Sequence, residues 1–581
     1  MLKTLEVFFK LTGGLYRPER FRIVVLAVLM CAGLGLQVFN PLVIRFFIDT
    51  AQSQGELGTL YLAAALFIVV EVVVQVLDGG TAYVGSDVSY RITNGLRSRL
   101  VRHTLRLDLG FHNAHTPGQL IEIIDGNINK MSHFFQRLVV RMIGYTLLAI
   151  GVVAVLFVED WRLGVAMGAF LVIFLSEHSL LQRIPLPLWR RERRANEDLY
   201  GFMGEWLDGI QDIRTSGAKG YVMSRFHDAV RGKFRATFKA EVVTVIVWGT
   251  SMFIFSLGFA GAMALGAYLF LGEAISIGTV YLVIHYLGMV QLPVRYISHE
   301  VRYFNRHRAS LERVQGMLET EPAVVDGTSH AIPPGAVPVE FDHVSFAYFQ
   351  PRTVLDDVSF RIEPGSVLGV LGRTGSGKTT MARLLVRLYD PVVGSVRLGG
   401  TDLRDVPLKE VNSRVAMVTQ DVQLLHGSVR DNLALFSPEI EDDRIVNAIR
   451  LLGLANWYDA LPEGLDTHIE GANANLSAGE AQLLAFARAY IRDPDVVILD
   501  EATSRLDPAT EAVIEKAVSR LLKGRTGLII AHRLQTIQRV DQVLIIEEGR
   551  IREFGSRQEL AADPDSRFSV LLKTGMEDVL A

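Results

Sequence analysis

Nine consecutive residues, Gly372-Arg373-Thr374-Gly375-Ser376-Gly377-Lys378-Thr379-Thr380, combine glycines, hydroxyls and a lysine in an order suited to holding phosphate. They follow the apolar run Val367-Leu368-Gly369-Val370-Leu371, which reads as a buried strand, and precede Met381 to Leu388, which reads as a helix. In that setting the glycines let backbone N–H groups approach phosphate oxygens, and the helix N-terminus adds positive potential. Lys378 reaches the outer phosphates and Thr379 can bind magnesium. A chance glycine-rich loop would need neither flanking element. A second strand-like run, Val496-Val497-Ile498-Leu499, ends in Asp500 and Glu501. Asp500 can hold magnesium through water, and Glu501 is then placed to polarise an attacking water. An apolar strand ending in two acids means little alone; beside a phosphate loop in the same domain it points to nucleotide hydrolysis.

The elements that must position these residues begin after a stretch containing Pro322, Pro333, Pro334 and Pro338, where Val339 to Tyr348 alternates as a strand does. What precedes is different in kind. Long apolar runs fill the first 300 or so of the 581 residues, and the remainder is an ordinary α/β mixture. Six segments come close to the length and apolarity that spanning a bilayer as helix requires. They are Ile23 to Phe47, Leu60 to Ala82, Leu138 to Val158, Leu163 to Leu181, Val242 to Leu271 and Ile275 to Val294. The two long connections, after the second and fourth spans, are helical in pattern but too polar to span.

Charge sets the expected orientation, because loops that stay cytoplasmic accumulate Lys and Arg. Arg17, Arg20 and Arg22 precede the first span; Arg91, Arg97, Arg99, Arg102 and Arg106 lie in the first long connection; Arg183, Arg190, Arg191, Arg193 and Arg194 open the second. Asp49, Glu56, Glu159, Asp160 and Glu273 mark the opposite turns, with Arg45 and Arg162 near them. Both termini are therefore expected in the cytoplasm, in the cytoplasmic (inner) membrane. Met1 to Arg20 lacks the pattern of a removable signal peptide and is expected to lie as a helix on the inner membrane surface. The only cysteine, Cys31, excludes an intrachain disulfide, and a net charge of -4 argues against a nucleic-acid partner.

Within the second span Glu71, Gln75 and Asp78 share one helical face. Acids at membrane depth face an aqueous pathway or a partner, so this stripe either lines a route for substrate or packs on another helix with its acids paired. His285 reads as a packed interior residue before it reads as a ligand, and Asn40 before Pro41 reads as a structural kink.

Together these motifs resemble the ATP-binding-cassette superfamily, and within it the exporter-type half-transporters. The resemblance covers nearly the whole chain, the cassette motifs being far more specific than the membrane ones. Leu476-Ser477-Ala478-Gly479-Glu480 looks like the signature loop, about twenty residues before Asp500-Glu501 as the family requires. Gln420 matches the loop that senses magnesium and contacts the membrane domain. Ser504-Arg505-Leu506-Asp507 resembles the loop after the catalytic acid, and His532 matches the switch histidine that touches the γ-phosphate. Tyr348 sits where the family stacks an aromatic on adenine. Phe111, Gly118 and Leu120, and again Gly209 to Arg214, resemble the two coupling-helix regions.

The resemblance implies an α-helical membrane domain of six transmembrane helices in the type I exporter (type IV) arrangement, followed by an α/β P-loop ATPase. The expected division is 1–20 interfacial helix, 21–320 membrane domain with cytosolic helical extensions, 321–338 linker, 339–575 nucleotide-binding domain and 576–581 tail. ATP and Mg2+ are the implied ligands: Glu501, His532, Gln420 and Lys378 for catalysis; Tyr348, Gly372, Thr374, Gly375, Ser376, Gly377, Lys378, Thr379, Thr380, Ser477, Gly479 and Asp507 for nucleotide; Thr379, Gln420 and Asp500 for metal. The signature loop of one chain covers nucleotide held by another, so a second half-transporter is required, in a homodimer or a heterodimer. The signature departs from Leu-Ser-Gly-Gly-Gln at Ala478 and Glu480, and His468 to Asn475 departs from the usual Gly-Glu-Arg-Gly pattern. Export or flipping of an amphipathic drug or lipid is the implied activity; import of an iron carrier through the same fold, or an ATP-gated regulator or channel component, are the alternatives.

Overall fold

The computed structural model describes residues 6, 8, 10–136, 141–329, 332–348, 351–470, 476–500, 508–531 and 537–574. The chain divides into two compact units, residues 1–105 with 117–320, and residues 106–116 with 321–581.

Among the described residues of the first unit, six helical stretches are long and apolar enough to cross a membrane. They belong to α1 (Arg20–Gln52), α2 (Leu57–Thr104), α3 (Gly144–Glu159), α4 (Trp161–Leu181), which leads through a short break into α5 (Leu186–Asp208), α6 (Lys219–Leu271) and α7 (Ile277–Glu319). Leu138, the expected start of the third span, lies outside the described residues. The seventh helix begins at Ile277 rather than Ile275 because Ser276 takes the cap position, its hydroxyl accepting from the Thr279 N–H at 3.1 Å. Asp49 ties the same turn down by accepting from Ser276 Oγ at 2.7 Å and from the Gly278 N–H at 2.8 Å. Asp160 caps α4 by accepting from the Arg162 N–H, and Arg45 forms an ion pair with Glu159. Among the described residues of the N-terminal stretch, Phe8, Leu11 and Thr12 are buried.

α1 and α2 run antiparallel with a clear register. Asn40 meets Glu71, and seven residues away on each helix Gly33 lies under Asp78, where an added Cβ would come within 3.4 Å of Oδ1. Pro41 sits inside α1, and beside it the Tyr286 hydroxyl of α7 donates to the Val38 carbonyl at 2.6 Å, in the turn that the proline disturbs.

The second unit is built on a six-stranded sheet ordered β12-β11-β3-β10-β9-β6. Its strands are β3 (Val367–Leu371), β6 (Val415–Val418), β9 (Val496–Asp500), β10 (Thr526–Ile530), β11 (Gln542–Glu547) and β12 (Arg550–Ser556). All neighbours pair in parallel except β11 with β12. β3, β9 and β10 are buried at every position, as expected of parallel strands covered on both faces. An antiparallel sheet, order β2-β1-β4-β5, joins β1 (Val339–Phe346), β2 (Leu355–Ile362), β4 (Val393–Leu398) and β5 (Thr401–Asp402), and its inward residues share one core with β3, β9 and β10. A second core lies between the parallel sheet and the helices around α9 (Ala478–Ile491).

Two arginines hold irregular backbone in this unit. Arg387 is 3% exposed and adopts φ 54, and its guanidinium donates to Val406 O, Val325 O and Arg404 O at 2.7, 2.6 and 3.1 Å and to Asp390 at 3.1 Å. It therefore fixes the chain that enters the unit. Arg488, on α9, donates to Asn432 O, Gln423 O and Asn432 Oδ1 at 2.6, 2.7 and 2.7 Å.

Candidate functional site

The phosphate-loop sequence forms the turn between β3 and α8 (Lys378–Leu385). α8 begins three residues earlier than the sequence pattern suggests, because Gly377 takes a left-handed conformation, φ 110, as its cap. A side chain is excluded there twice over, since an added Cβ would lie 2.5 Å from Leu355 Cδ2. Gly375, at φ 84, has the opposite surroundings: no atom lies within 4 Å of where its Cβ would be. One glycine lets the loop pack against the antiparallel sheet, and the other leaves its outer face open.

That open face lines a cleft of about 1060 Å³. Tyr348, Thr374, Gly375, Gly377, Lys378, Thr379, Thr380, Gln420 and Asp500 all contribute to it. Gln420 follows β6 and Asp500 ends β9, a neighbouring parallel strand, so both arrive at the carboxyl edge of the sheet where the phosphate loop leaves β3. Asp500 is 8% exposed. Lys378 Nζ donates to Gly372 O at 2.6 Å and Arg373 O at 3.1 Å, which arches it back along the loop toward the open face. Ser376 Oγ is buried with no hydrogen-bond partner among the described residues. A donor-rich loop at a helix N-terminus, a lysine, an unsatisfied buried hydroxyl and a carboxylate across the cleft fit a nucleotide polyphosphate with a divalent cation.

Gly372 and Ser376 are buried in the same loop and do not themselves line the cleft. Ser477 and Gly479 lie elsewhere, at the start of α9. Ser477 is its cap: the hydroxyl accepts from the Glu480 N–H at 3.2 Å, and Glu480 Oε2 accepts from the Ser477 N–H and hydroxyl, each at 2.8 Å. The departure at Glu480 thus completes a reciprocal cap. Glu501, Asp507 and His532 lie outside the described residues.

The cleft also recruits residues that the sequence reading passed over. Arg383 donates to Tyr348 Oη at 3.1 Å, and Tyr348 Oη is 3.1 Å from Thr380 Oγ1. Helical spacing could have found Arg383, since it lies three and four residues beyond Thr380 and Thr379 on the same face of α8. Tyr389 stands edge-on to Tyr348 at 5.1 Å between centroids, and Asn113 Nδ2 donates to Tyr389 Oη at 2.9 Å. Burial pushes the Tyr389 phenol above its ordinary value, so it stays neutral. No sequence signal could have paired Asn113 with a residue 276 positions away. Its short helix, Leu109–Ala114, is capped by Asp108, which accepts from the Phe111 N–H at 3.1 Å and the Ala323 N–H at 2.8 Å. Burial opposes ionisation of Asp108, but these backbone donors outweigh it and hold the carboxyl below the usual range.

In the first unit the polar stripe of α2 turns toward α1. Asn40 Nδ2 donates to Glu71 Oε2 and Gln75 Nε2 to Glu71 Oε1, both at 3.0 Å. Asn40, which the sequence suggested only as part of a kink, supplies a partner to the acid. His285 is half-buried beside Tyr281, with Nδ1 3.4 Å from the hydroxyl.

Comparison with known proteins places this fold and cleft. Residues 23–294 match the family model described as ABC transporter transmembrane region, and residues 355–504 the model described as ABC transporter. The chain is 31% identical over 484 residues to an uncharacterized ABC transporter ATP-binding protein, YknV, of Bacillus subtilis, covering 82% of this chain and 79% of that one. It is 30% identical to a fatty acid ABC transporter ATP-binding/permease protein of Mycobacterium tuberculosis, covering 80% and 74%. With an ATP-dependent lipid A-core flippase of Burkholderia pseudomallei it shares 28% identity, covering 87% and 85%. Its fold is similar to that of a bacterial Atm1-family ABC exporter solved with ATP bound, with a TM-score of 0.81, 24% identity, and 95% and 98% of the two chains covered. The chain belongs to the ABC transporter family. It is an integral membrane half-transporter of exporter fold whose cassette binds ATP and hydrolyses it to drive transport, an architecture that implies pairing with a second half-transporter.

Proposed function

We propose that this half-transporter moves an amphipathic lipid-like molecule outward across the cytoplasmic membrane, working as a dimer with both termini and the cassette in the cytoplasm. The carrying observation is the open, donor-rich cleft of the second unit in one chain with six apolar helices. The names of the fatty acid transporter and the lipid A-core flippase support a lipid as cargo. The positive residues on one set of loops support the orientation. In this reading 1–20 is an interfacial helix, 21–320 the membrane domain, 321–338 a linker, 339–575 the ATPase and 576–581 a tail.

Each cleft residue has a task that its position supports. Backbone N–H groups of Thr374 to Thr380 cradle the phosphates, and Lys378 neutralises charge on the outer ones. Tyr348, held by Arg383 and Thr380, presents its ring to the adenine. Thr379, Gln420 and Asp500 would hold Mg2+, which would supply positive charge against the phosphates. Glu501 orients a water whose oxygen bonds to the γ-phosphorus as the bond to the bridging oxygen breaks, releasing ADP and phosphate. His532 contacts the γ-phosphate, while Ser477, Gly479 and Asp507 close the site across the dimer. ATP binding then favours one membrane arrangement and hydrolysis releases it, biasing a two-state equilibrium.

The test is reconstitution of this chain alone in liposomes, with ATP turnover and outward movement of labelled fatty acid and glycolipid measured beside Glu501→Gln. Movement of a lipid that stops in the variant supports the proposal. ATP turnover with no movement of any lipid tested would refute the lipid assignment; an active unmodified chain points to a homodimer and an inactive one to a heterodimer with a second half-transporter.

A further inference from the structure

Glu71 is the middle residue of the apolar run from Leu60 to Ala82, and in the six-helix unit its side chain and that of Gln75 are exposed rather than enclosed. A carboxylate at that depth needs compensation, and here two amides supply it: Asn40 Nδ2 and Gln75 Nε2 each donate to one of its oxygens at 3.0 Å. These contacts direct both amide donor groups at the acid and leave acceptors over. Asn40 is 5% exposed, and its Oδ1 is buried without a hydrogen-bond partner among the described residues. Gln75 keeps its carbonyl oxygen, Glu71 keeps lone pairs on both oxygens, and the Asp78 carboxylate follows two turns along the same helix over Gly33. A purely structural contact between α1 and α2 would need the one bond from Asn40 to Glu71. It would not need the second amide, nor a buried carbonyl oxygen left unsatisfied in an apolar setting.

Net negative charge, uncommitted acceptors and an exposed flank select against anions and against neutral apolar groups. We infer that the Asn40–Glu71–Gln75 cluster binds a single small cationic group, a primary ammonium carried by the transported molecule or an alkali ion from solution. For the ammonium source the inference rests on the export reading above, and it narrows the cargo to amphiphiles with a protonated amine. The ammonium hydrogens, or the ion, take the exposed Glu71 carboxylate and the Gln75 carbonyl oxygen, and on binding the Asn40 amide turns so that its orphaned oxygen, buried in this structure, joins them.

The probe is dansylcadaverine, a fluorescent primary amine, titrated without nucleotide into the full chain in lipid nanodiscs, with uncharged dansylamide as control. Because no ATP is present, a failure here leaves the turnover and lipid movement that test the export reading untouched. Saturable binding of the amine but not the amide is expected. Glu71→Gln, which keeps size and polarity but loses the charge, should weaken it by about tenfold or more, as loss of a charge-assisted hydrogen bond does. Gln75→Leu, at an exposed position, should weaken it by about threefold, and it carries the test if Glu71→Gln does not fold. Displacement by sodium or potassium chloride but not by choline chloride would support the site and assign it to a solution ion; resistance to all three salts would support the ammonium. Equal affinity in the unmodified chain and both variants, or no saturable binding alongside no effect of sodium or potassium on thermal stability, would overturn the inference.

Discussion

Polar groups are handled in opposite ways by the two units. In the cassette the cleft is built around neighbours in sequence: one loop contributes Thr374, Gly375, Gly377, Lys378, Thr379 and Thr380, and the carboxyl edge of a parallel sheet brings Gln420 and Asp500 to the same place. In the membrane unit the polar cluster joins two helices through residues 31 apart and depends on their register, so that moving one helix by a single residue would dissolve it. The difference teaches where each site stores its tolerance. Substitution in the loop disrupts a preorganised phosphate cradle directly, whereas the membrane cluster can lose a contact and still pack, because α1 and α2 also meet elsewhere, through Arg22 with Asp87 and through Leu29 beside Gly80.

The sharpest way to break this contrast is at the loop. Lys378→Ala should lower ATP turnover by at least about a hundredfold, the size seen when one preorganised electrostatic contact is removed, and turnover within a few-fold of the unmodified chain would contradict the assignment. Next in size, Gly377→Val should prevent nucleotide binding and lower the cassette's melting temperature. It combines a backbone strain of about 1–3 kcal/mol with the collision against Leu355, and an unchanged nucleotide affinity would count against the packed loop. Arg488→Met keeps the stem but strands Asn432 and Gln423, so a destabilisation of about 1–3 kcal/mol is expected by denaturant unfolding of the cassette transition. Asn40→Leu, in contrast, should shift the membrane unit's thermal transition by only about 0.6 kcal/mol, the typical worth of one hydrogen bond between membrane helices. A loss as large as that of Arg488→Met would show that the cluster is structural.

The smallest effect concerns pH. The Asp108 carboxyl is depressed below its ordinary 3.8, so its stabilising contribution is present above that value and is lost as pH falls through the lower folded value. Asp108→Asn should therefore melt below the unmodified chain at neutral pH, and the gap should close in strong acid. A gap independent of pH would mean that shape, and not charge, makes this cap.

How much was legible beforehand differs between the same two regions. The phosphate loop, its strand and its helix are readable because their chemistry is local; the helix runs from Lys378 to Leu385 rather than from Met381 to Leu388, and its earlier start has a reason visible in the φ of Gly377. The six spans were readable because hydrocarbon demands length and apolarity whatever the packing. Arg383 was within reach of a helical-spacing argument. Asn113 beside Tyr389 was not, since nothing in either segment names the other. Glu480 read as a lost signature residue, and the structure adds that it closes a reciprocal cap with Ser477.

By itself the amino-acid order determined the family, the six apolar helices and the residues of the phosphate cradle, because periodicity, apolar length and glycine spacing act within a few turns of chain. Only the tertiary structure decided that Asn40 answers Glu71, that Arg387 and Arg488 hold distant loops, and that Asn113 reaches Tyr389. Those are contacts between segments far apart in the chain, and their geometry follows from helix register and sheet order, which local propensity does not specify.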